Sequence, residues 1–578
     1  MAVYFGLQSM FYKYVRGLND WNHHKTETGQ KQIELTCARR DSAAFQAVVS
    51  SEEDFLLTIR EEPLFWKGGP LEIARLSVET DAPFRVNVHL IGLIEDDDRS
   101  LKSDILLQQS HIYVERRRIQ PVWIELEAES EIPAGTYSGK LKLWTHTLFD
   151  DEKLEEELVF TVHVREEVLP EPKYYKFYLD LWQHNSNIAR KYEVPLWSEE
   201  HFLFIDAYLK SLADLGQKAL SVVVSEIPWS GQGSYLDREP SDLFEYSMVH
   251  VRRHPDGSYS YDFAALDRYV ETGFKHGISS EIEVFGLLNI WQNSVYGSIV
   301  EGYPDGIRVR YYDEQSGSYR YIRERPHLEA YIRALESHLT EKGWIDKVRI
   351  LADEPADYEL FSERINTLQQ IAPSFKYKAA INHANFIQKK VKGLHDYVPI
   401  LTCAANEAEQ IESLRGEIPG RLLFYVCCHP KYPNTFLGSP SIEARVIPWL
   451  AEKLKYDGFL RWNYTVWPDR PLENIVYRPS VWPAGDTNFV YPGPSGKPML
   501  SLRYKWLQRG IRDFEYMQLL KETGRGHEVE KVLNHVFLFA DIKDLYVGES
   551  GAELYSQDPG DYDRLYRIGS GSLTKKNG

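Results

Sequence analysis

The sequence predicts a multidomain protein, an N-terminal all-β sandwich followed by a (β/α)8 TIM-like barrel. Three observations carry that expectation. At 578 residues the chain is too long for one hydrophobic core. Residues 1–170 mostly alternate apolar and polar side chains, the period of half-buried strands. Beyond them, short apolar runs alternate with amphipathic helical stretches, as β-then-α units do.

In chain order, strands are expected at Ile33–Thr36, Ala44–Val49, Arg85–Leu90, Pro121–Glu127 and Leu158–Val164, with turn clusters such as Ile132-Pro-Ala-Gly-Thr-Tyr-Ser-Gly139 between them. Leu169-Pro-Glu-Pro172 reads as a short, stiff linker and sets the boundary of the first domain, residues 1–170. The second domain, 171–525, offers eight strand candidates: Lys176–Trp182, Leu220–Ser225, Ile278–Leu288, Val348–Asp353, Tyr377–Asn382, Val398–Cys403, Leu422–Cys428 and Phe459–Thr465. Their near-continuous apolar character suits strands buried on both faces. Helices are expected over Glu199–Leu215, Phe263–His276, His327–Lys342, Tyr358–Gln370, Glu407–Arg415, Ile442–Lys455 and Leu502–Leu520. Residues 526–578 read as one helix, Gly526–Tyr546, and a polar, disordered tail.

The formal net charge of -18 argues against nucleic acid and anionic membranes as partners. No apolar run reaches the ~20 residues of a membrane span, and the first residues lack the pattern of a signal peptide. Four cysteines without a CxxC pair make neither a disulfide framework nor a zinc motif, so a cytoplasmic protein with no cofactor and no metal is expected. A homo-oligomer stays open. The 14 Trp and 37 Tyr suit core packing, and they also suit sugar recognition, in which the apolar face of a pyranose lies on a flat ring.

In a parallel barrel the chemistry gathers where strands finish. Those positions hold Trp182 and His184; Glu226 and Trp229; Asn289, Trp291 and Gln292; Asp353 and Glu354; Asn382 and His383; His429; and Trp462, Tyr464 and Trp467. The focal point is Leu351-Ala-Asp-Glu-Pro355, an apolar run ending in two adjacent carboxylates that repel and are costly to desolvate. Pro355 lacks an N–H and turns Glu354 away from helical angles, so the strand ends there. With aromatic, amide and imidazole groups nearby and no Lys/Arg cluster, the set suits a neutral, hydroxyl-rich ligand. Plainer readings stand beside this one. Asp353 and Glu354 could be an acidic pair at a helix N-terminus, and His383 and His429 could be packed histidines. Metal ligation by His23-His24 or by Cys427-Cys428-His429 is not expected, Gly231-Gln-Gly233 is only a turn, and no G-x-S-x-G elbow supports a serine nucleophile.

Three segments together resemble glycoside hydrolase family 123 and its wider relatives. They are the sandwich region with Ala44-Phe-Gln46 and Ala134–Gly139; Leu351–Pro355; and a C-terminal stretch. The last runs from Gly458-Phe-Leu-Arg-Trp-Asn-Tyr464 through Gly485-Asp486 and Tyr491-Pro-Gly493 to Ser501-Leu-Arg503 and Arg509–Tyr516. The resemblance covers residues 30–520. It implies a sandwich followed by a barrel, and an exo-acting β-N-acetylgalactosaminidase that works by retaining, substrate-assisted catalysis on a glycan or glycoconjugate with a terminal N-acetylhexosamine. By motif, Asp353 would orient the acetamido group and Glu354 would be the general acid/base. Neighbouring acids are poorly placed to bracket a pyranose, as an acid and a carboxylate nucleophile must, but they can serve a sugar whose own acetamido oxygen attacks. Trp182, His184, Trp462, Tyr464 and Trp467 are candidates for the pocket, and Asn382, His383 and Asp486 for hydroxyl contacts. Arg503 and Asp513 are expected to form a structural pair. Two alternatives are a glycosidase of other specificity without acetamide participation, and a non-catalytic glycan-binding protein.

Overall fold

The structure is a computed structural model that describes residues 3–20, 29–61, 72–147, 150–228, 244–289, 299–462, 464–476, 482–545 and 551–568. His23, His24, Trp229, Gly231–Gly233, Trp291, Gln292, Asn463 and the tail from 569 lie outside the described residues.

The N-terminal region is β-rich. One sheet has five strands in the order Val3–Ser9, Asp41–Ser51, Gln120–Ala128, Arg85–Glu95, Leu101–Leu106. The other has six, in the order Gln32–Arg39, Lys153–Val168, Gly135–Thr147, Glu72–Thr80, Phe55–Thr58, His111–Val114. Every strand expected from alternation lies inside one of these. The two sheets share a core in which Phe45, Val122 and Ile124 of the first meet Leu141, Leu143 and Phe160 of the second. Phe45 and Phe160 pack with ring centroids 5.3 Å apart. The expected turn at 132–139 is shorter than its composition suggested, because Gly135–Thr147 is a strand. Gly139 belongs to that strand for a packing reason: a Cβ there would stand 2.0 Å from the Phe160 ring.

The second half carries two parallel sheets. Five strands run in the order Ala219–Val223, Glu281–Phe285, Val348–Ala352, Lys376–Ile381, Leu394–Pro399, and three in the order Tyr178–Leu181, Gly458–Arg461, Leu423–Tyr425. Isolated parallel bridges join their edges: Leu179 with Gln217 on one side, Tyr397 with Leu422 and Ile400 with Tyr425 on the other. The sixth strand differs from expectation. It spans Leu394–Pro399, and Leu401–Asn406 is already helical. His395 and Asp396 hid it by breaking the apolar run; Asp396 is buried because it pairs with Arg349 of the third strand in its sheet.

That pairing is one of several charges on strands expected to be apolar. Lys378 is surrounded by Asp180, Glu281 at 3.0 Å and Glu283 at 3.0 Å, and Tyr178 donates to Glu281 at 2.5 Å. Burial pushes the Glu283 carboxyl well above its ordinary range and raises Asp180. Burial opposes the charge on Lys378, but the three acids hold its pKa well above the usual value. The strands are therefore buried on both faces, with hydrogen-bonded ions on one of them.

Helices follow most strands near the expected positions: Glu199–Leu215, Ala264–Lys275, Arg325–Glu341, Tyr358–Ile371, Ala408–Leu414, Ile442–Leu454 and Leu502–Glu522. Ser198, Asp357 and Ser501 cap three of them, each side chain accepting a backbone N–H of the first turn. A small sheet that the alternation did not reveal, ordered Tyr259–Asp262, His250–Arg253, Arg310–Asp313, Ser318–Tyr321, is built from the connections between strand and helix inside the second unit and inside the third. The expected final helix stops at Val536, and 3-10 and short α turns occupy Ile542–Asp544 and Gly551–Arg567.

The helix Leu502–Glu522 fastens the two halves together. Along it Arg503 meets Asp104 at 2.9 Å, Lys505 meets Glu125 at 2.7 Å, and Arg509 meets Asp41 at 3.0 Å. Arg503 and Asp513 do not pair with each other as expected. Asp513 instead takes Arg445 at 2.6 Å and Arg509 at 3.0 Å. Both are structural, in separate networks. No helix among the described residues is long and apolar enough to cross a membrane.

Candidate active site

The strand Val348–Ala352 is buried throughout and delivers Asp353 and Glu354 to its C-terminal end. The next helix starts only at Tyr358, with Asp357 as its cap, so the two acids are not a helix N-terminal pair. Successive side chains of a strand point to opposite faces. Arg349, Leu351 and Asp353 continue one face, the face on which Arg349 reaches Asp396. Glu354 would point the other way, but its φ is 44°, in the left-handed region. That turn costs a non-glycine residue about 1–2 kcal/mol. It is held by the Glu354 N–H, which donates to the Ala380 carbonyl of the adjacent strand at 3.1 Å. The carboxylate itself accepts a short hydrogen bond from the Tyr425 hydroxyl.

Tyr425 ends the strand Leu423–Tyr425, and its oxygen lies 2.9 Å from Asn382 Oδ1. A hydroxyl has one proton, and that of Tyr425 goes to Glu354; the Asn382 amide turned over would donate to the phenol oxygen. Burial first, and Glu354 second, push the Tyr425 phenol well above its ordinary pKa, so it stays a donor at any working pH. Asp353 adds the smallest contribution to the same upward shift.

Behind the acids a chain of hydrogen bonds fixes the loop. Asn289, also left-handed at φ 55°, donates from Nδ2 to the Asp353 carbonyl at 2.6 Å. Its Oδ1 accepts from Arg364 at 2.8 Å, and its N–H is taken by Asp305 at 2.5 Å. Arg364 lies on the helix Tyr358–Ile371 that follows the acids and also reaches the Pro304 carbonyl at 3.1 Å.

On the other side Asp486 is wholly buried, accepting from Arg461 at 2.7 Å and from the Trp462 indole at 3.4 Å. Burial pushes its carboxyl up to about 7, against the pull of Arg461. Trp462, half-buried, meets Trp482 with centroids 5.2 Å apart and the edge of His184 at 6.2 Å. Cys427-Cys428-His429 follows the strand that carries Tyr425; the His429 pKa is raised first by its hydrogen bond with Cys428, and Glu354 and Asp486 add to the shift. The Cys428 thiol is pulled down to about 5, first by its hydrogen bond with Cys427 and then by His429.

The expected site residues therefore divide. Glu354 and Asn382 meet at the Tyr425 hydroxyl, Asp353 directly precedes Glu354, and Trp462 and Asp486 are joined to each other. His184 is buried behind Trp462, with Nε2 3.0 Å from the Trp462 carbonyl oxygen, and Trp182 is buried edge-on against Phe285 at 5.0 Å. Three do not join. His383 is exposed and pairs with Glu407 at 3.0 Å. Tyr464 is buried with its hydroxyl 2.8 Å from that of Ser211 on the helix Glu199–Leu215. Trp467 is buried against Tyr208 of the same helix and donates to the Val490 carbonyl at 2.7 Å. Both rings fill the helix-to-strand packing and offer no wall to a ligand. Glu226, pushed up to about 7 by burial, is engaged by Arg310 at 3.1 Å. Sequence reasoning missed Tyr425 and Arg364. The first lay inside the strand candidate Leu422–Cys428, whose apolar run hid that the strand ends at Tyr425; the second has no local signal, because only the fold brings it to Asn289.

Residues 182–520 match the model of the glycoside hydrolase 123 catalytic domain. Among solved structures, a family 123 glycoside hydrolase from Clostridium perfringens, described in connection with glycolipid glycan hydrolysis, superposes with a TM-score of 0.75 at 18% identity. The match covers 98% of this chain and 96% of that one. A β-D-glucuronidase from Dictyoglomus thermophilum matches over 81% of this chain and 66% of its own at 11% identity, but its TM-score of 0.30 carries no argument. No curated protein matches the sequence. The family model spans more than half of the chain, so this protein belongs to glycoside hydrolase family 123 and is a glycosidase.

Proposed function

We propose that this family 123 glycosidase removes terminal β-linked N-acetylgalactosamine from a glycan or glycoconjugate, with retention, through participation of the substrate's own acetamido group. The observation that carries the reading is the left-handed turn at Glu354, which directly follows Asp353 at the end of a buried strand and carries the Glu354 carboxylate to the Tyr425 hydroxyl. Consecutive acids are poorly placed to bracket a pyranose from opposite faces, where a retaining pair needs about 5–5.5 Å between carboxyls. They can serve a nucleophile that the sugar provides. An intramolecular attack gains up to ~7–11 kcal/mol from proximity when well oriented. In this reading Asp353 accepts the acetamide N–H and offsets the positive charge of the oxazolinium. Glu354 protonates the leaving oxygen and then takes a proton from the incoming water. Trp462 supplies a ring face and Asn382 a hydroxyl contact, while buried Asp486 holds the Trp462 indole from behind.

The scaffold belongs to the same reading. The two parallel sheets with their bridges are taken as one (β/α)8 barrel over residues 171–525, and the β-rich region over 1–170 as a sandwich that supports it. Cysteines without a disulfide pattern favour a reducing compartment such as the cytoplasm.

The test is a panel of chromogenic β-glycosides with and without the 2-acetamido group, run with an acetamide-derived thiazoline inhibitor. Cleavage confined to acetamido sugars, blocked by the thiazoline and faster for the galacto than the gluco configuration, is expected. A 2-hydroxy galactoside cleaved as fast as its acetamido analogue would rule out acetamide participation.

A further inference from the structure

We propose that Cys427, Cys428 and His429 form a binding site for a thiophilic divalent cation of the Zn2+ class, beside the carboxylate pocket, with the fourth coordination position left to water or a ligand oxygen. Consecutive cysteines carry no zinc-motif spacing, so the argument is geometric. Tetrahedral Zn2+ with Zn–S of about 2.3 Å and Zn–N of about 2.0–2.1 Å sets two sulfurs about 3.8 Å apart and sulfur and nitrogen about 3.5–3.6 Å apart. The Sγ atoms of Cys427 and Cys428 are 4.0 Å apart. His429 Nδ1 stands 3.7 Å from the first sulfur and 3.4 Å from the second. All three edges of the donor triangle thus fall within about 0.2 Å of those a tetrahedral ion requires.

The segment that bears the donors is built rather than loose. The Cys427 N–H donates to the His429 carbonyl at 3.0 Å. Buried Asn434 donates to the carbonyls of Cys427 at 3.0 Å and Pro430 at 2.7 Å, and Arg461 in turn holds the Asn434 Oδ1 at 2.9 Å. The cysteines are half-buried and His429 is exposed, so an ion has a way in. Glu354 and Asp486 lend negative potential to the same place, each acting on His429. Two thiolates and a neutral imidazole suit a soft or borderline ion, and binding displaces to solvent the protons these donors carry.

The experiment uses the full chain, freed of metal and kept reduced with a phosphine. Zn2+ is titrated against a chromogenic chelator, and Co2+ serves as a spectroscopic stand-in. One equivalent of Zn2+ is expected, together with a thiolate-to-cobalt charge-transfer band. Cys427→Ser, Cys428→Ser and His429→Gln should each weaken Zn2+ by more than the ~10–100-fold typical of changes outside the ligand set. The band separates this site from the all-oxygen cluster of Asp180, Glu281 and Glu283, which cannot produce it. Cys37 and Cys403 are buried and apart from it. Substoichiometric uptake, a missing band, or equal uptake by the three variants would overturn the proposal. The wild-type cobalt spectrum decides even if a variant fails to fold, and none of these readouts depends on which sugar is cleaved.

Discussion

Tyr425→Phe removes one oxygen from the centre of the site and leaves the ring. The phenol is 3% exposed, so phenylalanine fills the same space and the packing survives. The loss is a hydrogen bond to the Glu354 carboxylate and a contact 2.9 Å from Asn382. A hydrogen bond to a charged group contributes about 1.5–3 kcal/mol. At 1.36 kcal/mol per decade this is a fall of about 10- to 150-fold in kcat/KM, if the bond holds the acid in its reacting direction. The assay is kcat/KM on the best glycoside of the chromogenic panel, beside a thermal unfolding curve that measures what the same lost bond costs the fold. Asn382→Ala and the double variant complete a cycle. Residues sharing one hydrogen-bond network couple, so the double variant should lose less than the sum of the singles. Activity of Tyr425→Phe within twofold of wild type, or strictly additive losses, would refute the claim that this hydroxyl positions Glu354.

Three further outcomes follow from the same structure. Asp104→Ala strands the buried Arg503 guanidinium, an uncompensated charge costing about 3–5 kcal/mol; calorimetry should show a lower transition that splits as the two halves uncouple, and an unchanged single peak would contradict the role of this pair. His201 is neutral in the fold, its pKa pushed down to about 4 by burial with only partial opposition from the Asn185 carbonyl. The unfolded chain binds that proton from about pH 6.5 downward, so this residue's contribution of about 3 kcal/mol is complete above 6.5 and disappears as pH falls to 4. His201→Gln should flatten the acid side of a melting-temperature-against-pH curve; an equally steep curve would contradict it. Finally, Glu354→Gly should melt higher than Glu354→Ala, by about 1 kcal/mol in stability, because only glycine tolerates a φ of 44° freely; both should be inactive, and the reverse order would deny the strained turn.

Much of the scaffold was legible because each element follows a periodic rule. Alternation located the strands around Phe45, Ile124 and Phe160, and the apolar run at Val348 marked the strand that carries the acids. The failures share a physical cause: a residue whose partner is distant in sequence. Asp396 broke the apolar pattern of its strand because its compensation, Arg349, lies 47 positions away. Tyr464 and Trp467 sit just beyond a strand end, as pocket residues do, yet face a helix more than 250 positions earlier, where Ser211 and Tyr208 receive them. Position along a strand says how far along the scaffold a side chain lies; it does not say which way the chain turns once the strand has ended.

Two neighbours on a regular strand cannot face one cavity, so the pair Asp353-Glu354 could serve one reacting centre only through a break in the strand. Pro355 makes the break readable in sequence, but proline restricts the preceding residue toward extended angles, not toward positive φ. The conformation observed at Glu354 is thus imposed from outside, by the Ala380 carbonyl that takes its N–H and the Tyr425 hydroxyl that holds its carboxylate. Asn289, at the end of the neighbouring strand, is bent the same way and clasps the Asp353 carbonyl. Two left-handed residues on adjacent strand ends, each costing about 1–2 kcal/mol, are sustained by the buried strands beneath them. Under the proposed mechanism that strain has a use: it would let both acids reach one substrate group, Asp353 holding the acetamide while Glu354 moves a proton.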